Sequence, residues 1–332
     1  MIYLQIFLLI LGFALLVKGA DWFVDGSAGI AGKCRISPLV IGLTVVAFGT
    51  SAPELAVSIT SAIQGSTDIS IGNVVGSNIC NILLILGLSA LIHSLPVQKN
   101  SLKLDLPILL VASTLLIALC AWGGSLVWWE GLIMIAVLIG YLYLLIRNAR
   151  KEQKQKLLEG VVLDEPSEAP KGKFGVWYER MQQKVWFLIV LVLIGLGMVV
   201  GGGVLLVNSA RAIAENFGVD ERIIGLTIVA IGTSLPELVT SVVAAKKGET
   251  DIAVGNIIGS NIFNIFLVAG AASLFHPLPF SLEGNLVDAI VALGAAVLLT
   301  VLSLIKGHKL SKVAGAIMLS CFIGYYVYLF IA

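Results

Sequence analysis

Charge is scarce in this chain. Of 332 residues only 12% are Asp, Glu, Lys or Arg, 58% are hydrophobic, and mean hydropathy is +1.01. A soluble domain of this length could not bury so much apolar side chain, so the composition implies an integral membrane protein and excludes a soluble enzyme. The four cysteines, Cys34, Cys80, Cys120 and Cys321, form no Cys-x-x-Cys pair, and three lie in apolar runs. They read as small buried apolar side chains, not as a thiolate metal site. His93, His276 and His308 fall at segment ends or in loops, without metal-ligand spacing. There is no catalytic triad and no phosphate loop, so neither an enzyme nor a bound cofactor is expected. The net charge of +1 points to no partner, and nucleic acid is not expected. The first twenty residues lack a basic n-region, and the apolar run continues past Phe23, which predicts a first transmembrane helix in place of a cleaved signal.

What the chain has in plenty is apolar runs. A spanning helix needs roughly 20 apolar residues. By that measure ten spans are predicted, at 3–30, 38–63, 69–92, 104–121, 127–147, 185–213, 222–245, 252–275, 285–305 and 310–331. The division between the fourth and fifth rests on Trp122-Gly-Gly-Ser and the Trp128-Trp129 pair, which suits an interfacial aromatic belt. Loops after odd spans carry 18 Lys and Arg, loops after even spans only Arg211 and Arg222. This asymmetry predicts cytoplasmic odd loops and both termini outside a cell membrane crossed many times. The one sizeable loop, 150–184, mixes Lys and Glu with Pro166 and Pro170 and reads as a flexible cytoplasmic linker.

Shifting the chain by 183 residues aligns 41–87 with 224–270 without a gap, with 28 identities in 47 positions. Each half, 1–149 and 185–332, holds five predicted spans, with the repeat at 39–92 and 222–275. An odd number of spans per half turns the second copy upside down. The expected fold is therefore all-α and polytopic: ten transmembrane helices in two inverted five-helix repeats, with helices broken at the midplane. A repeat kept for packing alone would preserve small and apolar residues. Here it also preserves Thr50/Thr233, Ser51/Ser234, Glu54/Glu237, Asn73/Asn256, Ser77/Ser260 and Asn81/Asn264, which are costly in lipid.

Residues 49–54, Gly-Thr-Ser-Ala-Pro-Glu, return at 232–237 as Gly-Thr-Ser-Leu-Pro-Glu. Pro53 cannot donate to the carbonyl of Gly49 and pushes that turn open. The carbonyls of Ala47, Gly49 and Thr50 are then expected to be released from helix bonding. Asn73, Ser77 and Asn81 at spacing i, i+4, i+8 form one polar stripe, and Asn256, Ser260 and Asn264 form the matching one. Gly72, Gly76, Gly255 and Gly259 are expected to let helices approach closely. Every candidate ligand is an oxygen, which suits a hard cation such as calcium or sodium. Two carboxylates in one dry site need cations or protons to neutralise them. Asp21, Asp25, Asp68 and Asp251 read as capping or interface residues, and Glu130 and Asp288 as peripheral.

These motifs, Gly49-Thr-Ser-Ala-Pro-Glu-Leu with Gly72-Asn-Val-Val-Gly-Ser-Asn and their second copies, resemble the alpha repeats of the sodium/calcium exchanger family within the cation/calcium exchanger superfamily. The resemblance implies a secondary antiporter of calcium and sodium. Calcium would be held by Glu54, Glu237 and the backbone carbonyls of Thr50 and Thr233. One sodium site would involve Glu54, Ala230, Thr233 and Ser260, and its inverted partner Glu237, Ala47, Thr50 and Ser77. A central position would be lined by Glu54, Glu237, Asn81 and Asn264; relatives with aspartate at the place of Asn264 include potassium-dependent ones. Spans one and six would slide across the rest, with Gly201-Gly-Gly203 easing the motion. Proton/calcium antiport and a cation channel are the alternatives. The expected partners are the ions and the lipid bilayer, and a monomer is the simplest assembly.

Overall fold

The computed structural model describes residues 2–158, 181–217, 230–281, 285–305 and 307–331. Eight helices among them are long and apolar enough to cross a membrane, and a ninth span results if one bent pair is counted as one. We label them α1 (Ile2–Cys34), α2 (Pro38–Thr50) and α3 (Ala52–Ile63), which form the bent pair, α4 (Ile69–Ile92), α5 (Ser101–Gly123), α6 (Trp128–Lys151), α7 (Val185–Asn216), α9 (Thr250–Ser273), α10 (Asn285–Leu304) and α11 (Lys312–Leu329). Between α7 and α9 stand a helical turn, Ala230–Gly232, and α8 (Leu235–Lys246). The first part of the predicted seventh span, 222–229, lies outside the described residues.

Apart from the undescribed start of the seventh, the predicted spans fall on helices, the second as a bent pair, with few shifts at their ends. The predicted turn between the fourth and fifth is present: α5 ends at Gly123, Gly124 takes the left-handed conformation that favours glycine (φ 67°), and Trp128 opens α6. The reading of 150–184 as linker is corrected at its start, since the helix runs on to Leu158. The reason is local: Arg, Lys, Glu, Gln and Leu are all good helix formers.

Burial sorts the helices into layers. α9 is the axis: every residue from Ile252 to Phe263 is buried. α4 is the next most enclosed, while α1, α6, α10 and α11 turn much of their apolar surface outward. α1 and α7 are the longest helices. At 1.5 Å per residue their 33 and 32 residues exceed the roughly 30 Å hydrocarbon core. They pack on one another along their length. Glycine makes this possible: a Cβ on Gly12, Gly19 or Gly26 would run into the backbone of α7, and one on Gly195 or Gly202 into the backbone of α1. Of the Gly201-Gly-Gly203 run, it is Gly202 that lies in this seam; Gly201 faces open space.

Two short antiparallel ladders tie the connections together. β1 (Leu95–Pro96) pairs with β4 (Lys309–Leu310), and β2 (Ser125–Leu126) with β3 (Leu278–Pro279). α5, 23 residues long, separates β1 from β2 along the chain, so the ladders stand about 35 Å apart in the helix direction, at opposite ends of the bundle.

Candidate ion-binding site

The first break lies where proline predicted it. α2 and α3 meet at a 43° bend, with Ser51 at the corner (φ −81°, ψ 5°) and Pro53 in the first turn of α3. Proline costs nothing there, because first-turn amides have no intrahelical partner. The second copy repeats the corner at Ser234 (φ −85°, ψ 5°), with Pro236 in the first turn of α8. The expectation of released carbonyls is corrected for two of three. Ala47 still accepts the Ser51 amide (3.0 Å), and a backbone amide at the corner also reaches Gly49. The chain bends soon enough after Thr50 for those amides to turn back.

Each corner has the Ser-x-x-Glu spacing of a capping box, in which serine and glutamate would satisfy the helix's own first amides. Neither serine caps its helix. Ser51 Oγ donates instead to Glu237 Oε1 in the other half (3.2 Å), and Ser234 Oγ donates to Ser77 Oγ (3.4 Å). The capping side chains are diverted into a shared interior. Glu54 and Glu237 remain in the first turns of α3 and α8, where the positive end of the helix dipole favours a carboxylate.

Both glutamates are fully buried. Ser260 Oγ gives Glu237 Oε1 a second, long contact (3.5 Å), while Glu237 Oε2 and both carboxylate oxygens of Glu54 have no hydrogen-bond partner among the described residues. Thr233 and Ser234 lie beside Glu54 without completing a bond to it. Among the described residues no basic side chain pairs with either acid. Nor does any cluster of three or more His, Cys, Asp and Glu form among them, so hydroxyl, amide and carbonyl oxygens must complete any cation site.

The polar stripes close the site from α4 and α9. Thr50 Oγ1 donates to Asn256 Oδ1 (3.0 Å) and lies 3.4 Å from Ser260 Oγ. Thr233 Oγ1 donates to Asn73 Oδ1 (3.5 Å). Asn81 is fully buried, and among the described residues neither its amide atoms nor Asn264 Oδ1 have a partner. The helices widen here into π-helical turns, Cys80–Leu86 and Asn264–Ala269, a local irregularity often found at functional sites. Gly255 and Gly259 do bring α9 against the backbone of α2. The offset counterparts of those α2 neighbours, 222–230, fall on residues whose placement or side chain is not described, as does the side chain of Ala230.

The site thus gathers Thr50, Ser51, Glu54, Ser77, Thr233, Ser234, Glu237 and Ser260, with Ala47 on the same turn as Thr50. Sequence reasoning passed over four residues. Asn73 Nδ2 donates to Ser58 Oγ and Asn256 Nδ2 to Ser241 Oγ, each at 2.9 Å. Asn78 Nδ2 donates to the Asn261 carbonyl (3.3 Å), and Asn78 Oδ1 accepts from Asn264 (3.2 Å). All four residues are identical across the 183-residue offset, so the signal was there.

The outlying acids have partners away from the site. Asp21 and Asp25, read as capping or interface residues, hold Lys247 at 2.5 and 2.6 Å. Asp288 accepts a bond from Tyr325 (2.9 Å), and Asp105, buried, accepts one from Tyr141 (2.9 Å). Glu130 accepts the Val127 amide at the start of α6 (3.0 Å), and Asp251 accepts from Gln98 (2.6 Å). The side chain of Asp68 is outside the described residues.

Comparison with known proteins gives a concordant result. The sodium/calcium exchanger protein family matches residues 4–147 and 187–331. CaxA of Alkalimonas amylolytica, named as a presumed antiporter, is 39% identical over 333 residues, covering 99% of both chains. The sodium/calcium exchanger MaX1 of Methanosarcina acetivorans is 34% identical over 352 residues, again covering 99% of both. Among solved structures, the sodium-calcium exchanger NCX_Mj soaked with sodium and calcium superposes with a TM-score of 0.82 at 34% identity, over 98% of this chain and 99% of its own.

Proposed function

The chain belongs to the sodium/calcium exchanger family, and on that premise we propose that it moves sodium and calcium in opposite directions across the membrane by alternating access. One observation carries the reading: two fully buried glutamates from opposite halves face one oxygen-lined site and have no basic partner among the described residues. Buried charge of one sign is tolerated only when compensated. Calcium compensates both carboxylates at once, sodium ions do so separately, and the two loads exclude each other.

The reading takes ten helices as two inverted repeats. Two features support it. Thr50 bonds to Asn256 as Thr233 bonds to Asn73, each pair being the other shifted by 183 residues. The ladders exchange in the same way: β1 shifted by 183 is β3, β2 shifted likewise falls within one residue of β4, and β1 pairs with β4 as β3 pairs with β2. With basic loops in the cytoplasm, both termini lie outside. Calcium sits between Glu54, Glu237 and the carbonyls of Thr50 and Thr233. Sodium sits at Glu54, Ala230, Thr233 and Ser260, and at Glu237, Ala47, Thr50 and Ser77. Ala47 can serve although it accepts the Ser51 amide, since a carbonyl has two lone pairs. The unpartnered amide atoms of Asn81 and Asn264 suit a central, weakly held ion or water. The glycine seam lets α1 and α7 move as one body over the core.

Calcium flux in proteoliposomes, with sodium, pH and voltage varied separately, tests the proposal. Flux should require opposing sodium. If three sodium ions exchange for one calcium, it should also respond to voltage, because one net charge is worth about 2.3 kcal/mol per 100 mV. Uptake driven by a pH step without sodium would replace this reading with proton coupling, and single-channel steps would replace it with a pore.

A further inference from the structure

We infer that Asn73 and Asn256 are positioning residues that turn the hydroxyls of Thr233 and Thr50 into acceptors facing the transported ions. The inference rests on the exchanger reading above and adds two residues that would touch no ion. A hydroxyl has one proton and two acceptor lone pairs. Only a lone pair can ligate a cation, so an ion site built on threonine must dispose of the proton elsewhere.

Asn73 leaves no freedom about where that proton goes. Its Nδ2 contacts Ser58 Oγ (2.9 Å) and the backbone carbonyl of Glu54 (3.2 Å). A carbonyl only accepts, so the NH2 must face α3 and Oδ1 must face the other half. There it meets Thr233 Oγ1 at 3.5 Å. Oδ1 also only accepts, so the hydroxyl proton of Thr233 is spent on Asn73. The second copy has the same order. Asn256 Nδ2 donates to Ser241 Oγ (2.9 Å), and Asn256 Oδ1 accepts from Thr50 Oγ1 (3.0 Å). Thr50 Oγ1 also lies 3.4 Å from the Ala47 carbonyl, but with one proton it serves the shorter contact. Its lone pairs are left toward Ser260 and the site.

The two threonine–asparagine bonds join the halves. Asn73 ties the helix that begins with Glu54 to the turn that precedes Glu237, and Asn256 ties the helix that begins with Glu237 to the turn that precedes Glu54. Asparagine suits the task because it offers a donor and an acceptor on one rigid plane. Aspartate would lose the donor and add charge.

A double-mutant cycle separates this role from plain scaffolding. Thr50→Val keeps the backbone carbonyl and removes the hydroxyl; Asn256→Ala removes the group that orients it. Each should raise the sodium concentration for half-maximal exchange about tenfold, the worth of roughly one hydrogen bond, at unchanged maximal rate. The double variant should be no worse than either single one, because the asparagine acts through the hydroxyl. Effects that multiply to about a hundredfold, or a fall in maximal rate alone, overturn the inference. Thr233→Val with Asn73→Ala repeats the cycle in the other half. If both alanine variants fail to fold, the asparagines are scaffold and the inference falls. Absence of sodium-dependent calcium flux in the unaltered protein would instead sink the exchanger reading.

Discussion

Replacing Glu54 by glutamine should make the ion-free protein more stable and at the same time useless as an exchanger. Both Glu54 oxygens are buried and have no hydrogen-bond partner among the described residues, whereas Glu237 Oε1 accepts from Ser51 and Ser260. A hydrogen bond to a charged group is worth about 1.5–3 kcal/mol, and an uncompensated buried charge costs several kcal/mol. Glutamine has nearly the same shape and no charge, so Glu54→Gln removes the larger penalty. Glu237→Gln removes a charge already partly compensated, and its gain should be smaller by about 2 kcal/mol. Calcium reverses the order. At a hundredfold excess over its dissociation constant it should add about 2.7 kcal/mol to the unaltered protein and close to nothing to either variant. Thermal unfolding in detergent, with chelator and then with calcium, reads both effects, and vesicle flux confirms loss of exchange. If Glu54→Gln melts no higher than the unaltered protein in chelator, or keeps its calcium shift, the account of the site is wrong.

Three further outcomes are expected. Gly202→Val should abolish transport or folding, because its side chain would meet the Leu16 amide and the Gly12 carbonyl, whereas Gly201→Ala should be silent; flux and monodispersity decide. Lys247→Gln should loosen α1 from α8, since Lys247 Nζ bridges Asp21, Asp25 and the Asp21 carbonyl (3.1 Å). The pair is partly exposed, so the loss should be at most about 1 kcal/mol and should vanish in high salt, measured by melting at two ionic strengths. Glu249, just outside α9, has its carboxyl held above the usual range by burial and by the charges of Asp25 and Asp251. A raised folded value means the native state binds the proton more tightly, so stability is lost as pH rises through that value. Glu249→Gln should therefore stabilise the protein at neutral pH and leave acid stability unchanged, and a pH series of melting curves that shows a uniform shift would contradict this.

Spans and site residues were legible for different reasons. Apolar length marks a membrane helix whatever its neighbours do, so α1, α4, α5 and α7 stand close to where hydropathy put them. Polar identities across the 183-residue offset marked the site, because lipid exacts a cost for each of them. Local pattern does not choose between partners where a side chain has two. Ser51 and Glu54 have the spacing of a cap and do not cap. Asp21 and Asp25 have the look of interface acids and hold a lysine more than 200 residues away. Ala47 was expected to lose its amide partner and kept it.

By itself, then, the sequence determined the class of protein, the positions of the breaks and the oxygen chemistry of the candidate site. Proline without a donor, glutamate in an apolar run and an internal repeat have those consequences in any fold that crosses a membrane. Only the tertiary structure decided which atom faces which. It brought Ser51 to Glu237, left the Glu54 carboxylate without a hydrogen-bond partner among the described residues, and set the two asparagines between the halves. Those are contacts between residues 157 to 206 apart in the chain. They depend on how α3 and α8 lie against α4 and α9, and no local pattern encodes that.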